Sequence, residues 1–352
     1  MSGFLILCLI GLIYVVLYQI SRSSEMVATI QGEEVFDKKR NKILAWSMMV
    51  VWAALMIGFY YCHQYMMPKI NLIPASDHGE SYESMFMVTI IMTGIVFLIT
   101  QFLLFWFAYK YRRSDTRKTH YFAHSNKLEM IWTIVPAVAM AVLVAIGLKS
   151  WFKMTDPAPQ GAMQVEVVGK QFNWISRYPG KDGKLGSRNY KNISDQDNLL
   201  GLNWNDKDNK DDILIPNGEI HLVKGKPVEF IIGSRDVIHD VGLSHFRMKM
   251  DAVPGITSRI WFTPTITTRE MQEKTKNPNF VYELSCDQMC GKGHYAMRAI
   301  IIVETQAEFD AWMAKQQPYY VQTHPEAAPA VPATTPAEAA KDTVKKLTMN
   351  NN

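Results

Sequence analysis

Residues 286–297 read Cys-Asp-Gln-Met-Cys-Gly-Lys-Gly-His-Tyr-Ala-Met, so two thiols, an imidazole and a thioether fall at the spacing C-x3-C-x3-H-x2-M. Soft and borderline donors of this kind select copper over magnesium, calcium or manganese. Gly291 and Gly293 keep the stretch in a turn, which lets its side chains point at one centre. A second imidazole, His239, lies upstream in a strand-like run. A mononuclear blue-copper site takes two His, one Cys and a weak axial Met. This chain offers one thiolate more, enough for two copper ions to share six ligands across a pair of bridging sulfurs. A Cys2His2 zinc site is the competing reading of the same residues.

The elements that must carry this turn follow from hydropathy and charge. The chain has 352 residues and a formal net charge of +4, too mild to argue for a nucleic-acid partner. Four apolar runs, Gly3–Ile20, Ile43–Cys62, Met85–Tyr109 and Met130–Trp151, approach or reach the roughly 20 residues a membrane span needs. The first has no charged start and no small-residue cleavage site, so it reads as a retained helix and not a signal peptide. Arg22, Lys38, Lys39, Arg40 and Lys42 follow the first run, only Lys69 follows the second, and Lys110, Arg112, Arg113, Arg117, Lys118 and Lys127 follow the third. The excess of positive charge puts the first and third loops in the cytoplasm, and both termini and everything after Trp151 outside.

From Gln164 to Glu304 short β-branched runs alternate with turns, the pattern of an all-β sandwich or barrel. A polar insertion, Pro179–Asp212, interrupts it. Its Asp206–Asp212 segment lacks the mid-loop Gly and terminal Glu of a calcium loop and reads as solvated. Ala307–Gln317 reads as an amphipathic turn, and Pro325–Asn352 as a Pro/Ala-rich tail too poor in large apolar residues to pack. Cys8 and Cys62 lie in apolar runs and read as buried small hydrophobes. No C-x-x-C-H occurs, so no c-type haem is attached. His221, His245 and His324 read as surface or satisfied histidines.

Three stretches carry a family resemblance: Asp236-Val237-Ile238-His239, Asp251-Ala252-Val253-Pro254-Gly255, and Cys286 to Met297. Together they resemble the CuA domain of cytochrome c oxidase subunit II. Leu128-Glu129-Met130-Ile131-Trp132-Thr133-Ile134-Val135-Pro136-Ala137 is similar to the start of that family's second core helix. The resemblance covers roughly residues 85 to 305. It implies an α+β membrane protein divided into an extra N-terminal hairpin (1–62), a core helix pair (63–154), an extracytoplasmic cupredoxin-like Greek-key domain (155–305, with the insertion 179–212), and a short helix with a disordered tail (306–352). It further implies a dinuclear copper centre bridged by Cys286 and Cys290. His239 and Met297 would complete one copper, and His294 and the Gln288 carbonyl the other. Its implied partners are subunit I, which holds the haem, the other oxidase subunits, and a c-type cytochrome donor that is soluble or part of an upstream complex. The implied activity is that of a proton-translocating oxidase in a bacterial inner membrane, with the copper domain on the periplasmic side.

The chain departs from the family at two points. Gln288 stands where the family commonly has Glu; a carbonyl ligand survives the change, but a neutral amide is a weaker ligand for the family's magnesium. Phe172 stands where the family's electron-input residue is usually Trp, while Trp174 keeps the second aromatic. Glu129 matches a family glutamate at the mouth of a proton channel, a role suited to a titratable group near water. Competing functions are a CuA-containing small subunit of a nitric oxide reductase, a quinol oxidase subunit, and a copper carrier. The intact ligands argue against the quinol enzyme, and a rigid ligand turn against a carrier that must release metal.

Overall fold

A computed structural model describes residues 2–70, 72–118 and 120–327. Its helical part opens with α1 (Ser2–Gln31) and α2 (Glu33–Ile70), separated only by Gly32 at φ 84°, a left-handed conformation that glycine adopts without a Cβ clash. The expected first cytoplasmic loop is therefore almost wholly helical. α3 (Asp77–Lys110) and α4 (Asn126–Thr155) follow. α4 carries Pro136 in its interior, which removes one backbone hydrogen bond. Among the described residues three helical stretches are long and apolar enough to cross a membrane: Glu34–Met67, Asp77–Lys110 and Asn126–Thr155. This corrects the expected count of four. The first run, Gly3–Ile20, is helical within α1, but several of its side chains, Cys8 included, lie outside the described residues.

The β part is built from β1 (Met163–Lys170), β2 (Asn173–Tyr178), β3 (Ile213–Ile215), β4 (Glu219–Val223), β5 (Val228–Ser234), β6 (His239–Leu243), β7 (Met248–Ala252), β8 (Ser258–Phe262), β9 (Tyr282–Cys286) and β10 (Arg298–Glu304). These form two five-stranded sheets, ordered β3-β2-β1-β5-β8 and β4-β10-β9-β6-β7. β1 runs parallel to β5 and β10 parallel to β4; the remaining neighbours are antiparallel. The architecture is the cupredoxin-like sandwich expected from the sequence. Alternation aims Ala299, Ile301 and Val303 of β10 into the core, where Phe230, Phe246, Phe262 and Tyr282 form an aromatic cluster with centroids 4.9–5.4 Å apart.

A short strap that runs into the first turn of α3 belongs to this β unit, which comprises Pro74–Glu80 and the chain from Trp151 onward. The Ala75 N–H donates to the His245 carbonyl at 2.8 Å, and the Ala75 carbonyl accepts from Thr265 N–H at 2.9 Å. Ser76 Oγ donates to the Phe246 carbonyl at 2.6 Å. The His245 ring packs edge-on against Phe280 and Tyr282. His221 is satisfied and buried: its ring nitrogens lie 2.8 Å from Glu219 and Glu304, and Trp312 stacks on it at 3.9 Å. Trp312 sits on α5 (Gln306–Met313), which opens with a Thr305/Glu308 capping box where an amphipathic turn was expected. Beyond α6 (Tyr319–Thr323) the expected tail is described only to Ala327; its remainder lies outside the described residues.

The insertion is where structure and expectation part most. β1 and β2 are buried on both faces, because residues 179–212 cover the side turned away from the core. Leu200 and Leu202 of the insertion join Val168, Ile175, Leu214 and Tyr319 in a second apolar cluster. Beside it, Arg177 Nε donates to Glu166 at 2.6 Å, and Arg177 Nη1 donates to Asp212 at 2.9 Å, Asn209 at 3.0 Å and the Gly186 carbonyl at 3.1 Å. Asn209 and Asp212 are fully buried, so the segment 206–212 is only partly solvated, with Lys207 and Lys210 exposed. The two buried side chains point inward at a guanidinium, a pairing that composition alone does not reveal.

Burial pushes the Asp212 carboxyl up to about 7, with Arg177 and the Gly186 N–H acting the other way. An unburied Asp titrates near about 3.9. The group's contribution to stability is therefore fully present below about pH 4 and is lost as pH rises through about 7. Asp212→Asn should flatten that decline when thermal unfolding is followed across this window. An unchanged slope in the variant would assign the decline to other groups.

Candidate metal centre

β9 ends at Cys286, and the chain then turns through Gln288 and Cys290 into a single 3-10 turn, His294–Ala296, before β10 leaves at Arg298. Closure is fixed by the Cys286 N–H, which donates to the Met297 carbonyl at 3.1 Å. His239, the first residue of β6, reaches the turn because β6 pairs with β9, Val241 opposite Cys286. The sequence places these residues far apart; the sheet brings them together.

The two sulfurs of Cys286 and Cys290 stand 3.7 Å apart, unlinked. Cys286 Sγ lies 3.8 Å from His239 Nδ1 and 3.2 Å from the Gln288 carbonyl oxygen. Cys290 Sγ lies 3.7 Å from both His294 Nδ1 and Met297 Sδ. The donor atoms of His239, Cys286 and Cys290 all fall within 4.8 Å of one another. All six residues named from the sequence thus converge, and each thiol has its own imidazole beside it. Cys286, Cys290, Met297 and His239 are buried, and His294 is half-buried. Such a donor set, two bridging-capable thiols with imidazole, thioether and carbonyl around them, fits copper. Burial, with Cys286 adding to it, pushes the Cys290 thiol up to about 11. The metal-free turn therefore holds its proton, and metal binding would release it.

Three groups that the sequence did not single out support the ligands. Asp236 Oδ1 accepts from His239 Nε2 at 2.8 Å, which aims Nδ1 at the sulfurs. Burial raises the Asp236 carboxyl, but the Gln171 N–H, His239 and the Val237 N–H outweigh it and hold the group below the ordinary carboxylate range. Gly169 leaves room for the His239 ring, whose Cδ2 would come within 2.6 Å of a Cβ there. Gln171 Nε2 donates to the Cys290 carbonyl at 2.5 Å. An Asp three residues before a ligand His is the one local signal that pointed to any of them.

Phe172 is 40% exposed, and its ring fills the space that a Cβ on Gly293 would occupy, at 2.5 Å. It is an exposed aromatic packed against the ligand turn, whose own Tyr295 is also exposed. Trp174 is fully buried beneath it in sequence, with its ring 5.8 Å from that of His239. Glu129 stands exposed in the first turn of α4, its N–H bonded to the Ser125 carbonyl. It belongs to the helical unit and not to the metal centre.

Both parts of the chain are similar to known proteins. Residues 74–152 match the family described as cytochrome c oxidase subunit II, transmembrane domain, and residues 163–305 match its periplasmic domain. The chain is 34% identical over 232 residues to the alternative cytochrome c oxidase subunit 2 of Bradyrhizobium diazoefficiens, covering 66% of this chain and 79% of that protein. It is 24% identical over 237 residues to cytochrome c oxidase subunit 2 of Cereibacter sphaeroides, covering 64% of this chain and 72% of that one. Among solved structures, the periplasmic domain of cytochrome oxidase subunit II from Bradyrhizobium japonicum aligns with 48% of this chain and 99% of its own, at 24% identity and a TM-score of 0.30.

Proposed function

Since this chain belongs to the cytochrome c oxidase subunit II family, we propose that its ligand turn holds a dinuclear copper centre that serves as the electron-input site of a respiratory haem-copper oxidase. The observation that carries this reading is the pair of thiols 3.7 Å apart, each flanked by its own imidazole. When bound, the copper pair would take single electrons from a c-type cytochrome and deliver them to haem in subunit I, where oxygen is reduced to water.

The chain's own residues make that exchange cheap in reorganisation. His239 is fixed by Asp236, Met297 by the sheet, and the two cysteines by a turn with no slack at Gly291 and Gly293. A buried, closely packed shell keeps water out and tunes the potential. Phe172 gives a donor an aromatic surface in contact with the turn, with no indole N–H to offer. Gln288 presents only its carbonyl to the centre, and its neutral side chain supplies no charged ligand for magnesium at a subunit I boundary.

The protein is a membrane protein with an extracytoplasmic domain. Loop charge supports the chain after α4 on the periplasmic side of a bacterial inner membrane, and hence Glu129 at the cytoplasmic end of α4. There it would take protons towards subunit I. Glu129→Ala is expected to slow turnover while leaving the copper spectrum as in the parent; unchanged turnover would remove Glu129 from the proton path.

Copper analysis of the purified full chain tests the main reading. Two coppers per chain, together with a co-purifying haem-bearing large subunit, are expected; one copper, or zinc, would overturn it.

A further inference from the structure

Gln171 lies in the turn between β1 and β2, outside every ligand position, yet it bonds to both segments that carry ligands. Its backbone N–H donates to Asp236 Oδ2 at 2.7 Å, and the other oxygen of that carboxylate holds His239 Nε2. Its side-chain Nε2 donates to the Cys290 carbonyl at 2.5 Å. A Cβ on Gly291 would stand 2.9 Å from the same Nε2, so the amide lies flat against the turn with no spare room. The flanking residues are tied as well, since Asp195 of the insertion bridges Lys170 at 2.8 Å and Arg235 at 2.6 Å.

The chemistry of this position is specific. A carbonyl oxygen needs a donor, and Gln offers two N–H groups on a side chain long enough to cross from one turn to the other. Fixing the Cys290 carbonyl fixes the peptide plane between Cys290 and Gly291. That plane sets the direction in which the Cys290 sulfur leaves the backbone. The backbone bond to Asp236 works on His239 in the same way, and it survives any change of the Gln171 side chain. We propose that Gln171 is a positioning residue of the copper centre, locking the Cys290 half to the His239 half through its side chain. The inference rests on the reading of the turn as a copper site. Partners one shell removed from a metal typically carry about 10–100-fold of its affinity.

The test uses the full chain in detergent, loaded with copper, with Gln171→Leu and Gln171→Asn as variants. Leu removes the donor, while Asn keeps an amide that is one methylene too short to reach. Both keep the backbone N–H to Asp236. Copper release into an excess of chelator should quicken by about tenfold in both, and the visible bands should shift, with the thermal unfolding of the β unit unchanged. In the metal-free variants, amide hydrogen exchange at Gly291 and Gly293 should also quicken. Parental release rates, bands and exchange in both variants would overturn the proposal. A parent chain that binds no copper pair at all would instead sink the functional reading beneath it.

Discussion

Replacing Cys290 by serine is expected to leave a folded chain that has lost the electronic character of its centre. Cys290 Sγ lies 3.7 Å from Cys286 Sγ, His294 Nδ1 and Met297 Sδ alike. A serine hydroxyl is smaller, harder and far less acidic than a thiol, so it cannot share charge between two soft ions. Cys286 with His239 remains able to hold one copper. Electron transfer from a c-type cytochrome should therefore fall by at least about a hundredfold, the upper range seen for mere outer-shell changes. The chain's unfolding temperature should move little, because serine nearly conserves the volume. Stopped-flow reduction of the Cys290→Ser oxidase checks this; electron uptake within a few-fold of the parent would contradict it.

The second large effect concerns stability. Arg177→Leu strips the counter-charge from Glu166 and Asp212, which are 3% and 0% exposed, and leaves Asn209 Oδ1 and the Gly186 carbonyl without their donor. Breaking one side of a buried ionic network costs roughly 3–5 kcal/mol. Arg188 Nε, 2.8 Å from Glu166, would offset part of that at one carboxylate only. For a unit of this size the loss corresponds to a fall in Tm on the order of 10 °C. The insertion should become the first region cut by protease. A change below about 1 kcal/mol would show the network to be no stronger than a surface pair.

The site was legible in the sequence because five of its six ligand residues fall within twelve positions, where residue type and spacing carry the chemistry directly. His239 was reached through its local motif. The supports of the site were not legible in the same way. Gln171 meets Cys290 across 119 residues, and Gly169 is required by a ring that only the folded sandwich brings near. Strands that read as short β-branched or aromatic runs between turns, β1, β5, β8 and β10 among them, stood out. β6 and β7, reading His-Asp-Val-Gly-Leu and Met-Lys-Met-Asp-Ala, did not, because polar ligand and surface residues break the pattern. The insertion misled for the opposite reason. Its Asn and Asp residues have the composition of a solvated loop, yet two of them, Asn209 and Asp212, are turned inward to satisfy Arg177, a long-range pairing with no local signature. The strap Pro74–Glu80 was likewise hidden, since its hydrogen bonds reach residues 245 and 265.

The central claim is that Cys286 and Cys290 hold two coppers as one electronic unit, and the EPR spectrum of the copper-loaded full chain after partial reduction tests it most directly. The geometry predicts hyperfine structure from one unpaired electron shared equally by two copper nuclei. A spectrum from a single copper nucleus, at full copper loading, would contradict it.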